Sequence, residues 1–299
     1  MAGPTNGNPP PAGELHFGIV AGQHYREWPE LVEQFQWADE SGWDSAWGFD
    51  HFFSLREGDE MGVCLDGWTM LGAMAILTSK VQLGLMVTGI THRYPSVLLK
   101  QAVTVDHASG GRCILGVGAA WNDREHEAFG IPFPPPRTRV DMFQETMEIH
   151  RRSETDERVN FEGEHYVLDS APFEPKPVFG HIPVLVGSTG RRMMRYVAQY
   201  ADMWDGGGSP EEFAAHGERL KGLCRDIGRD PDEICWSLQA GPRQVESEDA
   251  FRSHVQAYAE VGVRAFLMVI PTGTPTTAMN RIAEQTIPEL REWYRGRQG

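Results

Sequence analysis

Asp50 and His51 stand side by side at the end of the apolar segment DSAWGFDH, the first point in this 299-residue chain where residue types suggest acid–base chemistry. A carboxylate beside an imidazole puts a hydrogen-bond acceptor next to a group that exchanges its proton near neutral pH, which suits proton transfer at a reacting atom. Such a pair can equally cap a loop. A second candidate is VGSTGRR, in which Gly187, Ser188, Thr189 and Gly190 open a helix whose first residues are Arg191 and Arg192. Free amides at a helix start, small residues that admit a close ligand and nearby guanidinium groups are the parts of a phosphate site. The segment lacks the Gly-Lys-Ser/Thr ending of a nucleotide-binding P-loop and is shorter than Gly-x-Gly-x-x-Gly, so a plain glycine turn remains the alternative. The third is GVGAAWN, where Gly116, Gly118, Ala119 and Ala120 would let a flat ring lie against the backbone, with Trp121 and Asn122 flanking it. The same small residues would also serve close packing of strands.

Other polar runs carry less. The 11 histidines are scattered, with neither His-Glu-x-x-His nor His-x-His, so no metal site is expected. The EHE run at 125–127 reads as a solvated helix face, and the EGDE run at 57–60 as a solvated loop without calcium-loop spacing. Cys64, Cys113, Cys224 and Cys235 include no Cys-x-x-Cys pair, and reduced, mostly buried thiols are expected.

The elements that must position these residues alternate. Apolar strand segments fall at 15–20, 44–49, 80–87, 112–118, 183–186, 201–204, 234–240 and 263–270. Between them lie amphipathic helices, including WPELVEQFQWADES ended by Gly42, and the stretches 67–78, 95–109, 191–199, 210–227 and 247–260. Nearly all-apolar strands alternating with helices indicate a parallel sheet, and eight of them match a closed (β/α)8 TIM barrel of the α/β class. Active sites of such barrels lie at the C-terminal ends of the strands, where all three candidate segments fall. Residues 119–180 exceed one unit and read as an insertion after the fourth strand, with a proline-rich loop, a helix over 140–151 and a short hairpin within 161–175. Residues 1–13, rich in Gly, Pro and Asn, read as a disordered tail before a single domain over 14–299.

Composition narrows the partners. A net charge of −15, from 27 Lys plus Arg against 42 Asp plus Glu, argues against nucleic-acid or anionic-membrane binding. No segment has a membrane span's apolar run, and no signal-peptide pattern opens the chain, so a cytoplasmic enzyme with a small-molecule substrate is expected.

Taken in order, DSAWGFDHF, KVQLGLMVTGITHRYPSVLLKQA, SGGRCILGVGAAWNDREHEAFG and the Gly-Ser-Thr-Gly helix start resemble the luciferase-like monooxygenase superfamily, and within it the deazaflavin (coenzyme F-420) dependent oxidoreductases. The resemblance runs over nearly the whole chain from Leu15. It implies that Asp50 contacts the cofactor and that His51 acts as acid or base. It further implies a non-prolyl cis peptide at Met86–Val87 behind the cofactor ring, with Thr88, Ala120 and Asn122 beside the cofactor and Gly187, Ser188, Thr189, Gly190 and Arg191 at its phosphate. Family members commonly dimerise through helices of the second and third barrel units, which implies a homodimer. Leu55 and Trp121 stand where related sugar-phosphate dehydrogenases carry Trp and Glu, so a sugar phosphate is not the expected substrate. Trp121, Phe52 and Tyr94 imply a more apolar pocket, and the expected activity is hydride transfer to or from a small organic substrate, such as reduction of a C=C or C=N bond. Two alternatives share the fold: an FMN-dependent two-component monooxygenase and a flavin-binding protein without turnover.

Overall fold

The computed structural model describes residues 13–55 and 59–297. In chain order the strands and helices are β1 (His16–Val20), α1 (Trp28–Ser41), β2 (Ser45–Gly48), α2 (Gly67–Leu77), β3 (Gln82–Leu85), β4 (Thr88–Gly89), α3 (Pro95–Ser109) and β5 (Cys113–Gly118). Then follow α4 (Asp123–Phe129), α5 (Pro136–Thr155), β6 (Arg158–Glu162), β7 (Val167–Pro172), β8 (Val184–Gly187), α6 (Met193–Tyr200), β9 (Met203–Gly206), α7 (Pro210–Asp226), β10 (Cys235–Ala240), α8 (Glu248–Ala259) and β11 (Ala265–Val269). Two further helices, Thr277–Arg281 and Ile287–Arg295, close the chain and had no counterpart in the sequence reading.

The main sheet runs β3-β2-β1-β11-β10-β9-β8-β5, every pair parallel, and pairing of β3 with β5 closes it into the expected TIM barrel. Strands covered on both faces must be apolar throughout, and CILGVG in β5 is buried at every residue. Helix boundaries follow local chemistry. Pro29 and Pro95 sit in the first turns of α1 and α3, and Gly42 and Gly110 take the left-handed conformation that ends them. Asp66 caps α2 by accepting from Thr69 N–H, and Ser209 with Glu212 forms a capping box on α7.

The third barrel strand differs from the continuous run expected over 80–87. It breaks after Leu85, passes through a cis peptide bond at Met86–Val87 and resumes as β4. The neighbouring strand must approach this break closely: a Cβ on Gly116 would stand 2.0 Å from the Leu85 carbonyl oxygen, so only glycine fits there. The larger apolar core lies between barrel and helices, while a smaller one fills the barrel with Val20, Trp47, Ile114, Leu185, Met203 and Leu267.

The insertion is more helical than anticipated, with α4 as a separate helix, α5 extending beyond 140–151, and the antiparallel β6–β7 hairpin beginning at Arg158. Cys113, Cys224 and Cys235 are buried, Cys64 is half-buried, and none is in a disulfide. The expectation of a disordered tail falls on residues 1–12, outside the described residues, apart from Gly13. No helix among the described residues is long and apolar enough to cross a membrane.

Candidate active site

A cleft of about 510 Å³ opens at the C-terminal ends of the strands. His51 reaches it from the loop after β2, Met86 and Val87 from the break between β3 and β4, and Gly118 through Asn122 from the end of β5. Gly187, Ser188 and Thr189 after β8 form the opposite side, with Asp205, Gly206 and Gly207 of β9 and Gln239 of β10. Small residues keep the space open. A Cβ on Gly207 would meet nothing within 4 Å, and one on Gly187 would meet only Val87, no nearer than 3.5 Å.

Beside this slot lies a charged network. His51 Nδ1 lies 3.0 Å from Glu125 Oε2, the carboxylate accepting, which leaves Nε2 as the ring nitrogen available to the cleft. Phe52 N–H donates to Glu125 Oε1 at 2.6 Å. Burial would raise the Glu125 carboxyl, but these two bonds and the positive neighbours outweigh it and hold it below its ordinary range. Beneath, Asp50 accepts a two-pronged bond from Arg93, Nη1 to Oδ2 at 2.5 Å and Nη2 to Oδ1 at 2.9 Å. Its burial likewise acts upward, yet His92 and Arg93 hold the carboxyl below its usual value. The His92 ring sits between the two acids, Nδ1 at 3.5 Å from Asp50 and Nε2 at 3.6 Å from Glu125. Both carboxylates are therefore ionised at neutral pH, and of these residues His51, His92 and Glu125 line the cleft.

The residues anticipated from sequence divide into two groups. His51, Met86, Val87, Ala120, Trp121, Asn122, Gly187, Ser188 and Thr189 meet at the cleft. Trp121 is 66% exposed and stands edge-on to His51, with ring centres 5.8 Å apart, so it forms part of the rim. Ala120 adopts a φ of 59°, which turns the chain at the slot's edge. Asp50 does not line the cleft, because its oxygens are committed to Arg93. Thr88 is also withdrawn, its hydroxyl accepting from Trp68 Nε1 at 3.0 Å. Phe52 packs against His92 and Phe129, and Tyr94 against Tyr166 of the insertion, rather than on the cleft wall. Gly190 and Arg191 follow the lining residues outward and are exposed.

The EHE run is the clearest departure from expectation. Glu125 and His126 are fully buried rather than solvated, and only Glu127 of the three is exposed. His126 locks α4 in place, with Nδ1 at 2.6 Å from Asn122 O and Nε2 at 2.6 Å from Thr91 Oγ1. His92, Glu125 and His126 bring ligand-type atoms within 4.8 Å, but both His126 nitrogens are engaged in these bonds. The signal for the buried face was the spacing of Asn122, Glu125 and His126, three polar residues on one side of a helix whose remaining positions are exposed. Arg93, His92, Asp205 and Gln239 carried no local motif.

Comparison with known proteins agrees with the architecture. A model of the luciferase-like monooxygenase family matches residues 13–298. The chain belongs to the luciferase-like monooxygenase family. It is 30% identical over 280 residues to a phthiodiolone/phenolphthiodiolone dimycocerosates ketoreductase of Mycobacterium bovis (strain BCG / Pasteur 1173P2), a match covering 84% of this chain and 72% of that protein. An uncharacterized protein of Mycobacterium tuberculosis (strain ATCC 25618 / H37Rv) is 38% identical over 141 residues, 47% of this chain, so that the chain spans about half, 49%, of that relative's length. Among solved structures, an F420-dependent secondary alcohol dehydrogenase in complex with an F420-acetone adduct superposes with a TM-score of 0.82 at 18% identity, covering 93% of this chain and 99% of the other. A long-chain alkane monooxygenase superposes with a TM-score of 0.79 at 13% identity, covering 94% and 92%. At these identities the two structures share the fold.

Proposed function

We propose that the protein is a deazaflavin (coenzyme F-420) dependent oxidoreductase that moves a hydride between the cofactor and a small organic substrate. The observation that carries this reading is His51, tied through Nδ1 to a buried carboxylate and facing a slot walled by Met86, Val87 and small residues. Those walls fit a flat tricyclic ring, and the backbone of Gly187–Thr189 fits the phosphate of its side chain. Arg137, Arg191 and Arg195 lie exposed on or beside the helix starts next to this loop and make no ion pair among the described residues. In a chain of net charge −15 they form a local basic patch suited to an anionic cofactor tail, which deazaflavin carries and FMN lacks.

Reduced deazaflavin, when bound, supplies a hydride and reacts poorly with oxygen, because a carbon replaces the reactive flavin nitrogen. His51 Nε2 holds the proton for the substrate atom that gains negative charge, or takes it in the reverse direction. Glu125 orients the ring, and Trp121 stands at the rim of the slot. The ketoreductase name of the 30% identical relative adds ketones to enones, imines and dehydroamino acids as substrates to test.

Titration with oxidised deazaflavin and with FMN, followed by turnover of that panel with the reduced cofactor, decides the reading. Tight deazaflavin binding with turnover is expected. Tight FMN binding without deazaflavin binding would reverse it in favour of a monooxygenase, and cofactor binding without turnover of any substrate would favour a non-catalytic flavin binder. We also propose that the chain forms a homodimer through α2 and α3, which pack together and leave Ile76 (71%), Leu77 and Val97 facing water. Sedimentation velocity is expected to show a dimer that Ile76→Glu weakens.

A further inference from the structure

A second histidine–carboxylate cluster lies at the opposite end of the barrel, at the N-terminal ends of β8 and β9. His150 and Glu154 are one turn apart in the last turns of α5 and face the same way, with His150 Nε2 3.5 Å from Glu154 Oε1. His181, just before β8, places Nδ1 2.9 Å from Glu154 Oε2 and Nε2 3.0 Å from Asp202 Oδ2. His150, Glu154 and His181 thus offer three ligand atoms within 4.8 Å of one another.

One observation beyond the cluster points to a ligand. His150 is 4% exposed, and its Nε2 is buried among these groups without a hydrogen-bond partner. The nearby crevice of about 20 Å³ lies on the other side of His150 and Glu154, walled by Lys100, Phe173 and Pro175 and not by His181, so the ion position is set by the cluster itself.

We propose that His150, Glu154 and His181 bind one divalent cation of the zinc type. Two imidazoles and one carboxylate are a zinc donor set, and ligand atoms about 2.1 Å from a tetrahedral ion stand about 3.4 Å apart. The 3.5 Å separation of His150 and Glu154 matches that spacing, and the shorter His181–Glu154 contact widens by a few tenths of an ångström when an ion replaces the shared proton. Glu154 Oε1, held by Ile182 N–H at 2.9 Å, is the oxygen that faces both imidazoles, His150 Nε2 at 3.5 Å and His181 Nδ1 at 3.0 Å. Asp202 acts as the outer partner, accepting from His181 Nε2 and thereby presenting the Nδ1 lone pair inward. The His181 side chain is 44% exposed, so a fourth position is open to water. The ion would pin the helical insertion to β8, whose other end carries the Gly187–Thr189 loop, independently of which cofactor that loop receives.

The test uses full-length protein stripped with a chelator and titrated with zinc chloride or cobalt chloride. Retention of one zinc per chain through gel filtration, a melting temperature raised by several degrees and the visible absorption of tetrahedral cobalt(II) are expected. His150→Gln and His181→Asn should each lose the retained zinc and the melting shift, and His150→Gln should melt near the parent in the absence of metal because Nε2 has no protein partner to lose. If His150→Gln fails to fold, His181→Asn on the half-exposed side carries the same comparison. No zinc retained by the parent and no melting shift would overturn the site, leaving His181 as a protonated bridge. Equal zinc retention by parent and variants would also overturn it, by placing the metal elsewhere.

Discussion

At the mouth of the barrel His51 leans on Glu125 beside a cleft of about 510 Å³, and at the foot His181 leans on Glu154 beside a crevice of about 20 Å³. The imidazole–carboxylate contacts are nearly equal, 3.0 Å and 2.9 Å. What differs is the other ring nitrogen. At the mouth Nε2 of His51 is available to the cleft, while at the foot Nε2 of His181 is bonded to Asp202. A histidine held at both ends positions and binds; one held at a single end can exchange a proton with a substrate. The contact alone does not distinguish chemistry from architecture, but the free nitrogen and the space in front of it do.

The sharpest way to break the comparison is to remove His51. His51→Ala is expected to lower turnover by roughly 10²–10⁴-fold while cofactor affinity changes little, as measured by steady-state rates and spectroscopic titration. Glu125→Gln keeps a hydrogen bond but removes the charge, and a loss of roughly 10–100-fold in kcat with a smaller change in KM is expected, the scale on which outer hydrogen-bond partners act on a working histidine. Turnover unaffected by either substitution would reduce the mouth to the kind of architectural contact seen at the foot.

The second way concerns stability. Arg93→Ala leaves the buried Asp50 carboxylate with only His92 beside it, and a loss of about 3–5 kcal/mol in urea unfolding is expected, with part recovered in the Arg93→Ala/Asp50→Asn double variant. The exposed Arg124–Glu60 pair sets the lower bound for such pairs: both side chains are about half exposed, and breaking it should cost about 0–1 kcal/mol. An equal cost for the two pairs would show that His92 alone suffices to hold the Asp50 carboxylate.

Much of the mouth was legible before the fold was known, and almost none of the foot. Apolar runs, proline starts and glycine ends placed the barrel strands and helices because each reports a local requirement of the backbone. The cleft residues Ala120, Asn122 and Gly187–Thr189 were found for the same reason, since they follow strands directly. Asp50 was found, but its partner Arg93 lies 43 residues away and nothing in either neighbourhood announces the pairing. Glu125 was misjudged because charge on a short helix reads as solvation, whereas its side chain is held inside by His51 and Phe52. His150 and Glu154 carried a visible helical spacing, but the third group, His181, stands beyond a hairpin and becomes a neighbour only when β8 joins the barrel. Local backbone rules are readable along the chain; polar partners brought together by topology are not.

Asp205 refines the contrast by a smaller effect. Its carboxyl lines the cleft at the end of β9, and burial pushes its pKa up from 3.8 to about 7 despite the Ser237 hydroxyl at 3.1 Å and a bond from the Gln239 backbone. Below about pH 4 the folded and unfolded chains both keep this proton, and the group's full contribution to stability is present. As pH rises towards 7 the unfolded chain has already released its proton while the folded chain retains it, so unfolding releases a proton and stability declines; above 7 both are ionised and the loss is complete. Asp205→Asn keeps a neutral group of the same shape, so urea unfolding of the variant should lack this component of the decline, and at pH 8 it should exceed the parent by on the order of 1–2 kcal/mol. A difference between parent and variant that does not change from pH 4 to pH 8 would mean that Asp205 is ionised throughout, and the mouth would then hold three carboxylates around the slot instead of two and a neutral acid.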